Sequence, residues 1–164
     1  MRRAICPGSY DPVTVGHLDI IRRAASIFDE VVVLVAVNSS KKSMFTVQQR
    51  VQMLRAAVAD IPGVCVESSD GLLAEYARSC GACALVKGVR SAQDLDYEQP
   101  MAHANRYLEP GLETVLLPAA PAVSWISSTI VREMLRYQQD ISEMVPAGAL
   151  EILSAQLQKE NENR

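Results

Sequence analysis

The chain has 164 residues, 49% of them hydrophobic and 21% charged, and its formal net charge is −3. This length and composition are typical of one globular domain with a sizeable core. The negative charge argues against nucleic-acid binding. No stretch reaches the roughly 20 apolar residues of a membrane span, and the first residues lack a signal-peptide pattern. We therefore expect a cytoplasmic protein with no nucleic-acid or membrane partner.

Apolar runs typical of buried strands alternate with amphipathic segments typical of helices. Residues 31–37 are apolar throughout, as in a strand covered on both faces, and residues 46–49 have a capping-box pattern. The predicted strands are Arg3–Cys6, Val31–Val37, Val64–Glu67, Cys83–Val86 and Thr114–Leu117. The predicted helices are His17–Phe28, Val47–Ala59, Leu72–Cys80, Ala92–Tyr107, Thr129–Tyr137 and Ala147–Gln158.

This alternation predicts an α/β fold with a single doubly wound, parallel, five-stranded sheet and helices on both faces. Residues 1–158 form one domain in this prediction, and the polar residues 159–164 form a frayed tail. In such sheets ligands bind beyond the carboxyl ends of the strands, where the strand order reverses. Four predicted strands are followed there by glycine, cationic or hydroxyl residues suited to phosphate, at 8–17, 38–42, 87–90 and 122–129.

The first of these segments has the composition of a phosphate site at a helix start. Gly8 and Gly16 would let the backbone approach a phosphate closely. His17 lies in the predicted first turn, where the helix dipole should lower its pKa while Nε2 can still donate a hydrogen bond. The alternative is that His17 is an ordinary polar residue at a helix start.

The later segments favour the same chemistry. Lys87 directly ends a buried apolar run, which indicates an anionic partner. A plain N-cap needs one hydroxyl group, so three in succession at Ser127–Thr129 favour contacts with phosphate. Trp125 either covers an adenine or fills core, and the sequence leaves both possibilities open.

Other chemistries have weaker support. Cys80-Gly-Ala-Cys83 could be a redox dithiol or half of a zinc site, but a helix that ends at Gly81 favours reduced, buried cysteines. The sequence has no P-loop, no dinucleotide fingerprint, no catalytic triad pattern and no dense carboxylate cluster. We therefore expect no metal site built by the protein, and any Mg²⁺ would arrive with nucleotide phosphates.

Several segments resemble a known family. Thr14–His17 is similar to the Thr/His-x-Gly-His signature of the nucleotidyltransferase superfamily, and Ile126–Arg132 matches its Ile-Ser-Ser-Thr-x-x-Arg signature. The resemblance extends through nearly the whole chain. Within the superfamily, the chain more specifically resembles the bacterial phosphopantetheine adenylyltransferase family. This more specific resemblance rests on Pro7–Thr14, Lys87–Arg90, Asp96–Glu98 and Asn105–Arg106.

The resemblance implies a Rossmann-like nucleotidyltransferase fold and the reaction of ATP with 4′-phosphopantetheine to give dephospho-coenzyme A and pyrophosphate. It also implies Mg²⁺ and a homohexamer. The implied catalytic residues are His17, Lys41 and Arg90. The implied phosphopantetheine contacts are Ser9, Lys41, Leu73, Lys87 and Glu133. The implied ATP contacts are Ser9, Tyr10, His17, Gly88, Val89, Arg90, Glu98, Val123, Ser124, Trp125, Ile126, Ser127, Ser128 and Thr129.

The chain departs from the commonest family pattern at four places. Lys87 replaces a frequent arginine, Tyr10 a frequent phenylalanine, and residues 95–96 a frequent Phe-Glu pair. Pro100 falls inside a predicted helix, where proline costs about 3 kcal/mol unless the helix kinks or restarts. Two other functions stay open: a related transferase that acts on nicotinamide mononucleotide or a cytidylyl acceptor, and a nucleotide sensor without catalysis.

Overall fold

The computed structural model describes residues 1–37 and 42–162, with side chains described as far as residue 158. Five strands form one sheet: β1 Arg3–Gly8, β2 Glu30–Ala36, β3 Val64–Ser69, β4 Ala84–Val89 and β5 Glu113–Pro118. Six helices accompany them: α1 Val15–Ile27, α2 Val47–Ala57, α3 Leu73–Cys80, α4 Ala92–Leu108, α5 Ser128–Arg136 and α6 Ala147–Glu162. Every predicted strand and helix is present.

The sheet has the order β3-β2-β1-β4-β5, and every neighbouring pair is parallel. The chain steps from β1 to β2 on one side and later returns to place β4 on the other side. The strand order therefore reverses between β1 and β4, and the cleft outside their carboxyl ends is where a doubly wound sheet binds ligands.

The two faces of the sheet are covered by different helices. Ala4 and Cys6 of β1 pack into the larger core cluster with residues of α1, α2, α5 and α6. Ile5, between them, faces the smaller cluster with Ala74 and Ala77 of α3. Because successive residues of a strand point to opposite faces, this alternation confirms a sheet buried on both sides.

The element boundaries differ from the prediction at the strand ends that matter most. β1 continues through Gly8, and β4 continues through Val89, so both segments pair with neighbouring strands instead of forming loops. Gly8 pairs with Val35 of β2, and Gly88 pairs with Leu117 of β5. Pro100 lies inside α4, which continues to Leu108.

The cysteines partly contradict the expectation from the sequence. All four are free thiols. Cys80 ends α3, as predicted, but Cys83 lies between α3 and β4, one residue before the strand that it was predicted to open. The prediction of burial is wrong for Cys65 and Cys83, which are exposed. Cys65 lies on β3, an edge strand with only one neighbour in the sheet. Within the described part of the chain, no helix combines the length and apolar character needed to cross a bilayer.

Candidate active site

A cavity of about 540 Å³, the main cavity, lies at the switch point between β1 and β4. Gly8 lines it from the end of β1, and Lys87 and Gly88 line it from the end of β4. His17 of α1 and Ser127–Thr129 at the start of α5 form further parts of its wall. The main cavity thus joins three of the four polar segments that the sequence predicts.

His17 is held by a capping box at the start of α1. The Thr14 N–H donates to His17 Nδ1 over 3.0 Å, and the His17 N–H donates to Thr14 Oγ1 over 3.3 Å. Because Nδ1 accepts a backbone hydrogen bond, the ring proton of the neutral histidine resides on Nε2. His17 therefore presents Nε2–H as a donor. The sequence pattern missed Thr14, because a capping box normally has Glu or Gln at the third helical position.

Burial and a nearby cation keep His17 neutral. Removal from water and, to a smaller extent, the charge of Arg90 together lower the pKa of His17 from 6.5 to about 4. The direction agrees with the prediction, but the main cause is burial and not the helix dipole. The Tyr10 ring meets the imidazole edge-on at 4.9 Å between ring centroids, and its hydroxyl donates to the Cys6 carbonyl over 2.8 Å. Tyr10 is therefore fixed from both sides against the histidine.

Both cations of the β4 segment are paired with carboxylates of α4. Lys87 Nζ lies 2.7 and 2.9 Å from the two oxygens of Glu98, in a pair that is mostly shielded from solvent. Arg90 Nε lies 3.3 Å from Asp94, which also accepts from the Arg90 backbone N–H over 2.8 Å. Burial is the largest single influence on the pKa of Asp94 and raises it, but the hydrogen bonds and charge of Arg90, together with a backbone contact from Ser91, outweigh burial and lower this pKa. The anionic partner predicted for Lys87 is thus Glu98 in this structure.

The three hydroxyls at the start of α5 each have a structural contact. Ser127 is the N-cap and accepts from the Ile130 N–H, while Ser128 donates to the Pro12 carbonyl over 2.8 Å. Thr129 Oγ1 accepts from Arg132 over 3.2 Å. Because each hydroxyl already has a partner, the three successive hydroxyls favour phosphate binding less strongly than the sequence pattern predicts. The Ser127 and Thr129 hydroxyls still have a proton to donate, and the first N–H groups of a helix have no acceptor within it.

Glycines around the cavity are explained first by packing. A Cβ on Gly88 would lie 2.8 Å from Ile20 Cγ1 of α1, too close for any carbon contact. A Cβ on Gly8 would lie 3.0 Å from two carbons of the Tyr10 ring, whereas one on Gly16 would meet nothing nearer than 3.5 Å. Gly88 therefore lets α1 pack on β4, and Gly8 leaves room for Tyr10. The sequence prediction was different, since it explained Gly8 and Gly16 by close approach of the backbone to a phosphate.

The structure gathers most, but not all, of the predicted site residues. Those that line the main cavity are Tyr10, His17, Lys87, Gly88, Arg90, Glu98, Val123, Ile126, Ser127, Ser128 and Thr129. Those outside its lining are Ser9, Leu73, Val89, Ser124, Trp125 and Glu133. Lys41 lies outside the described residues. Gln93, Asp94 and Tyr97 of α4 also line the cavity, although none of them was predicted to be a site residue.

The residues outside the lining have different surroundings. Ser9 lies in a separate polar cavity of about 60 Å³, the second cavity. Leu73 packs against the smaller core cluster, and Glu133 pairs with Arg136 on the exposed face of α5. Trp125 is 54% exposed, so the alternative that it fills core is wrong.

Comparisons with known proteins agree with the geometry. The pattern of the cytidylyltransferase-like family matches residues 5–134. A phosphopantetheine adenylyltransferase of Paenarthrobacter aurescens is 50% identical over 156 residues, covering 94% of this chain and 93% of the relative. Proteins of the same name are 44% identical in Shouchella clausii, covering 89% and 92%, and 43% identical in Caldanaerobacter subterraneus, covering 97% and 99%.

Proposed function

The chain belongs to the cytidylyltransferase-like family, and on that premise we propose that it transfers the adenylyl group of ATP to 4′-phosphopantetheine. The products are dephospho-coenzyme A and pyrophosphate, in the penultimate step of coenzyme A synthesis. One observation carries the proposal: two signature segments far apart in sequence, at Thr14–His17 and Ser127–Thr129, line the same cavity. Relatives between 43% and 50% identical have the name of this activity.

The reaction is a direct in-line attack without a covalent enzyme intermediate. The phosphate of the acceptor is already a nucleophile, so the enzyme needs no general base. Its task is to align that oxygen with the α-phosphorus of ATP and to stabilise the charge that develops there. A neutral His17 with its proton on Nε2 suits this task, because it can donate to a phosphate oxygen but has its other nitrogen occupied.

The cations act by exchanging partners. Lys87 and Arg90 are paired with Glu98 and Asp94 in this structure. In the proposed complex Lys87 turns to the acceptor phosphate and Arg90 to the phosphates of ATP, with Lys41 as a further catalytic cation. The N–H groups at the start of α5 and the Ser127 and Thr129 hydroxyls take the departing pyrophosphate.

The remaining assignments rest on the family resemblance. In the proposal, ATP contacts Ser9, Tyr10, His17, Gly88, Val89, Arg90, Glu98 and residues 123–129, and phosphopantetheine contacts Ser9, Lys41, Leu73, Lys87 and Glu133. The cavity wall supplies Tyr10 and Tyr97 as aromatic surfaces. Tyr97 is 70% exposed, so it is free to cover a bound base.

Magnesium fits this site as a companion of ATP. No group of three or more His, Cys, Asp or Glu residues in the described parts of the chain could hold a metal ion. The described lining of the main cavity contains two carboxylates, Asp94 and Glu98, and no third acidic residue. We therefore propose that Mg²⁺ enters on the phosphates of ATP, where it neutralises their charge. A homohexamer is proposed from the resemblance alone, and a cytoplasmic location from the sequence.

Release of pyrophosphate from a panel of acceptors tests the function. We expect release that requires both ATP and 4′-phosphopantetheine. Activity only with nicotinamide mononucleotide or a cytidylyl acceptor would instead identify a related transferase. ATP binding in calorimetry without turnover on any acceptor would identify a nucleotide sensor.

The role of His17 needs a variant that keeps the helix start. In His17→Gln the side-chain oxygen can still accept from the Thr14 N–H, so we expect folding and ATP binding to persist. The NH₂ group of glutamine is also a donor, so His17→Gln should keep part of the activity, whereas His17→Ala, which has no donor, should lower turnover by about 10²- to 10³-fold. His103→Ala is the matched control, since His103 is the other histidine of the chain and lies exposed on α4. Equal turnover in His17→Ala and His103→Ala would contradict the role of His17.

A further inference from the structure

The carboxylate of Asp11 makes a two-pronged contact with a distant segment. Asp11 follows β1 and is only 6% exposed. Its Oδ2 accepts from the Met44 N–H over 2.8 Å, and its Oδ1 accepts from the Phe45 N–H over 2.9 Å. Phe45 is itself 2% exposed. Two successive amides held by one buried carboxylate fix the position of the chain that leads into α2.

The backbone around Asp11 is held by other groups. Arg132 Nη1 donates to the Asp11 carbonyl over 2.6 Å, and the Ser128 hydroxyl donates to the Pro12 carbonyl over 2.8 Å. These bonds tie the loop after β1 to α5 and do not involve the carboxylate. The hydrogen bonds of the carboxylate go instead to Met44 and Phe45, and Arg132 adds only a longer ion pair to it.

The segment before α2 places the cation Lys42 in the same cavity as Ser9. The second cavity is lined by Ser9, Asp11, Ala36, Lys42, Ser43, Arg50 and Arg132. Arg50 is 5% exposed and donates to the Ser9 carbonyl over 2.8 Å. Arg132 Nη1 lies 3.9 Å from the Asp11 carboxylate. Lys42, Arg50 and Arg132 thus line the same cavity as the single carboxylate of Asp11, which gives the second cavity an excess of positive charge next to Ser9.

We infer that Asp11 is a positioning residue whose carboxylate holds the segment Lys42–Phe45, with its cation Lys42, beside Ser9 and thereby sets the affinity for the anionic acceptor. The inference rests on the proposed function, in which Ser9 contacts both substrates. Apart from Ser9, no residue proposed to contact ATP lines the second cavity, and Asp11 does not line the main cavity. Loss of the carboxylate should therefore weaken acceptor binding more than ATP binding.

Asp11→Asn separates this role from a general effect on folding. The variant keeps the side-chain volume but presents an NH₂ group to one of the two backbone N–H donors. We expect the KM for phosphopantetheine to rise about 10- to 100-fold, as for loss of a hydrogen bond to a charged group, with the KM for ATP changing less than about threefold. Asp19→Asn is the matched control, because Asp19 pairs with Arg23 on α1 outside both cavities. A rise shared equally by both substrates, or no rise for the acceptor, overturns the inference.

Amide hydrogen exchange reads the contact without using the reaction. We expect the Met44 and Phe45 amides to exchange slowly in the wild-type protein and much faster in Asp11→Asn, with α5 unchanged. If the variant does not fold, hydrogen exchange in the wild-type protein still tests the contact, because rapid exchange at the Met44 and Phe45 amides overturns the inference. Absence of pyrophosphate release by the wild-type protein refutes the proposed function instead. The exchange result then still tests the contact of Asp11 with Met44 and Phe45.

Discussion

Replacing His17 by glutamine also tests whether the folded protein excludes a proton from this site. The second capping box of the chain shows that the substitution is structurally conservative. There the Thr46 N–H donates to Gln49 Oε1 over 2.7 Å, and the Gln49 N–H donates to Thr46 Oγ1 over 3.2 Å. Glutamine at position 17 can make the same pair of bonds with Thr14, but it cannot titrate. The variant therefore removes the proton-binding group and keeps the cap.

The expected effect follows from the pKa difference between the two states. The pKa of His17 is about 4 in the folded protein because of burial and the Arg90 charge, against the ordinary 6.5. Between these values the unfolded state binds more protons, so the free energy of unfolding falls as the pH falls from above 6.5 towards 4. The loss is about 2 kcal/mol at pH 5 and approaches about 3 kcal/mol below pH 4.

Urea unfolding at pH 8 and pH 5 measures this loss in both proteins. All other ionisable groups are the same in the wild type and in His17→Gln, so their contributions cancel when the two pH dependences are subtracted. We expect the wild-type protein to lose about 2 kcal/mol more than the variant between these pH values. A difference below about 0.5 kcal/mol, the usual effect of a neutral surface change, would refute the conclusion that His17 is held neutral.

Two further predictions concern packing and thiol accessibility. In Gly88→Ala the new Cβ would lie 2.8 Å from Ile20 Cγ1, so the free energy of unfolding should fall by about 1–3 kcal/mol, whereas Gly16→Ala should be tolerated. Equal stability of these two variants in urea unfolding would contradict the packing explanation. Cys6 is buried, which raises its thiol pKa to about 12, while Cys83 is exposed. Alkylation followed by peptide mass analysis should modify Cys83 in the native protein and Cys6 only after unfolding; native modification of Cys6 would refute its burial.

The fold was predictable because its local patterns are consistent with its topology. Residues 31–35 are all buried, since β2 has a neighbour on each side and helices on both faces. The ends of β1 and β4 were missed for a physical reason. Pro7, Gly8 and Gly88 have poor strand propensity, but pairing with β2 and β5 extends both strands through them. Such pairing depends on neighbours that are distant in sequence.

The site was predictable in its location and less so in its contacts. Strand ends and signatures placed His17 and Lys87 at one cavity. The partner of Lys87 is eleven positions away at Glu98, on a helix whose orientation relative to β4 no local pattern specifies. Asp11 was missed because its contacts with Met44 and Phe45 join parts of the chain more than thirty positions apart. A local sequence pattern therefore predicts the residues of a site more readily than the distant residues that position them.

The charge balance of the main cavity indicates how the site selects its transition state. Its described lining contains Lys87 and Arg90 against Glu98 and Asp94, and His17 is neutral. The lining therefore carries little net charge before ligands bind, and each cation already has a partner. In the proposed reaction, a ground-state phosphate would compete with those carboxylates for Lys87 and Arg90, so much of the attraction would be offset. The negative charge that develops in the transition state would instead be stabilised by the Nε2–H of His17 and the N–H groups at the start of α5, which need no exchange of partners. Stabilisation that is greater for the transition state than for the substrates is what raises turnover.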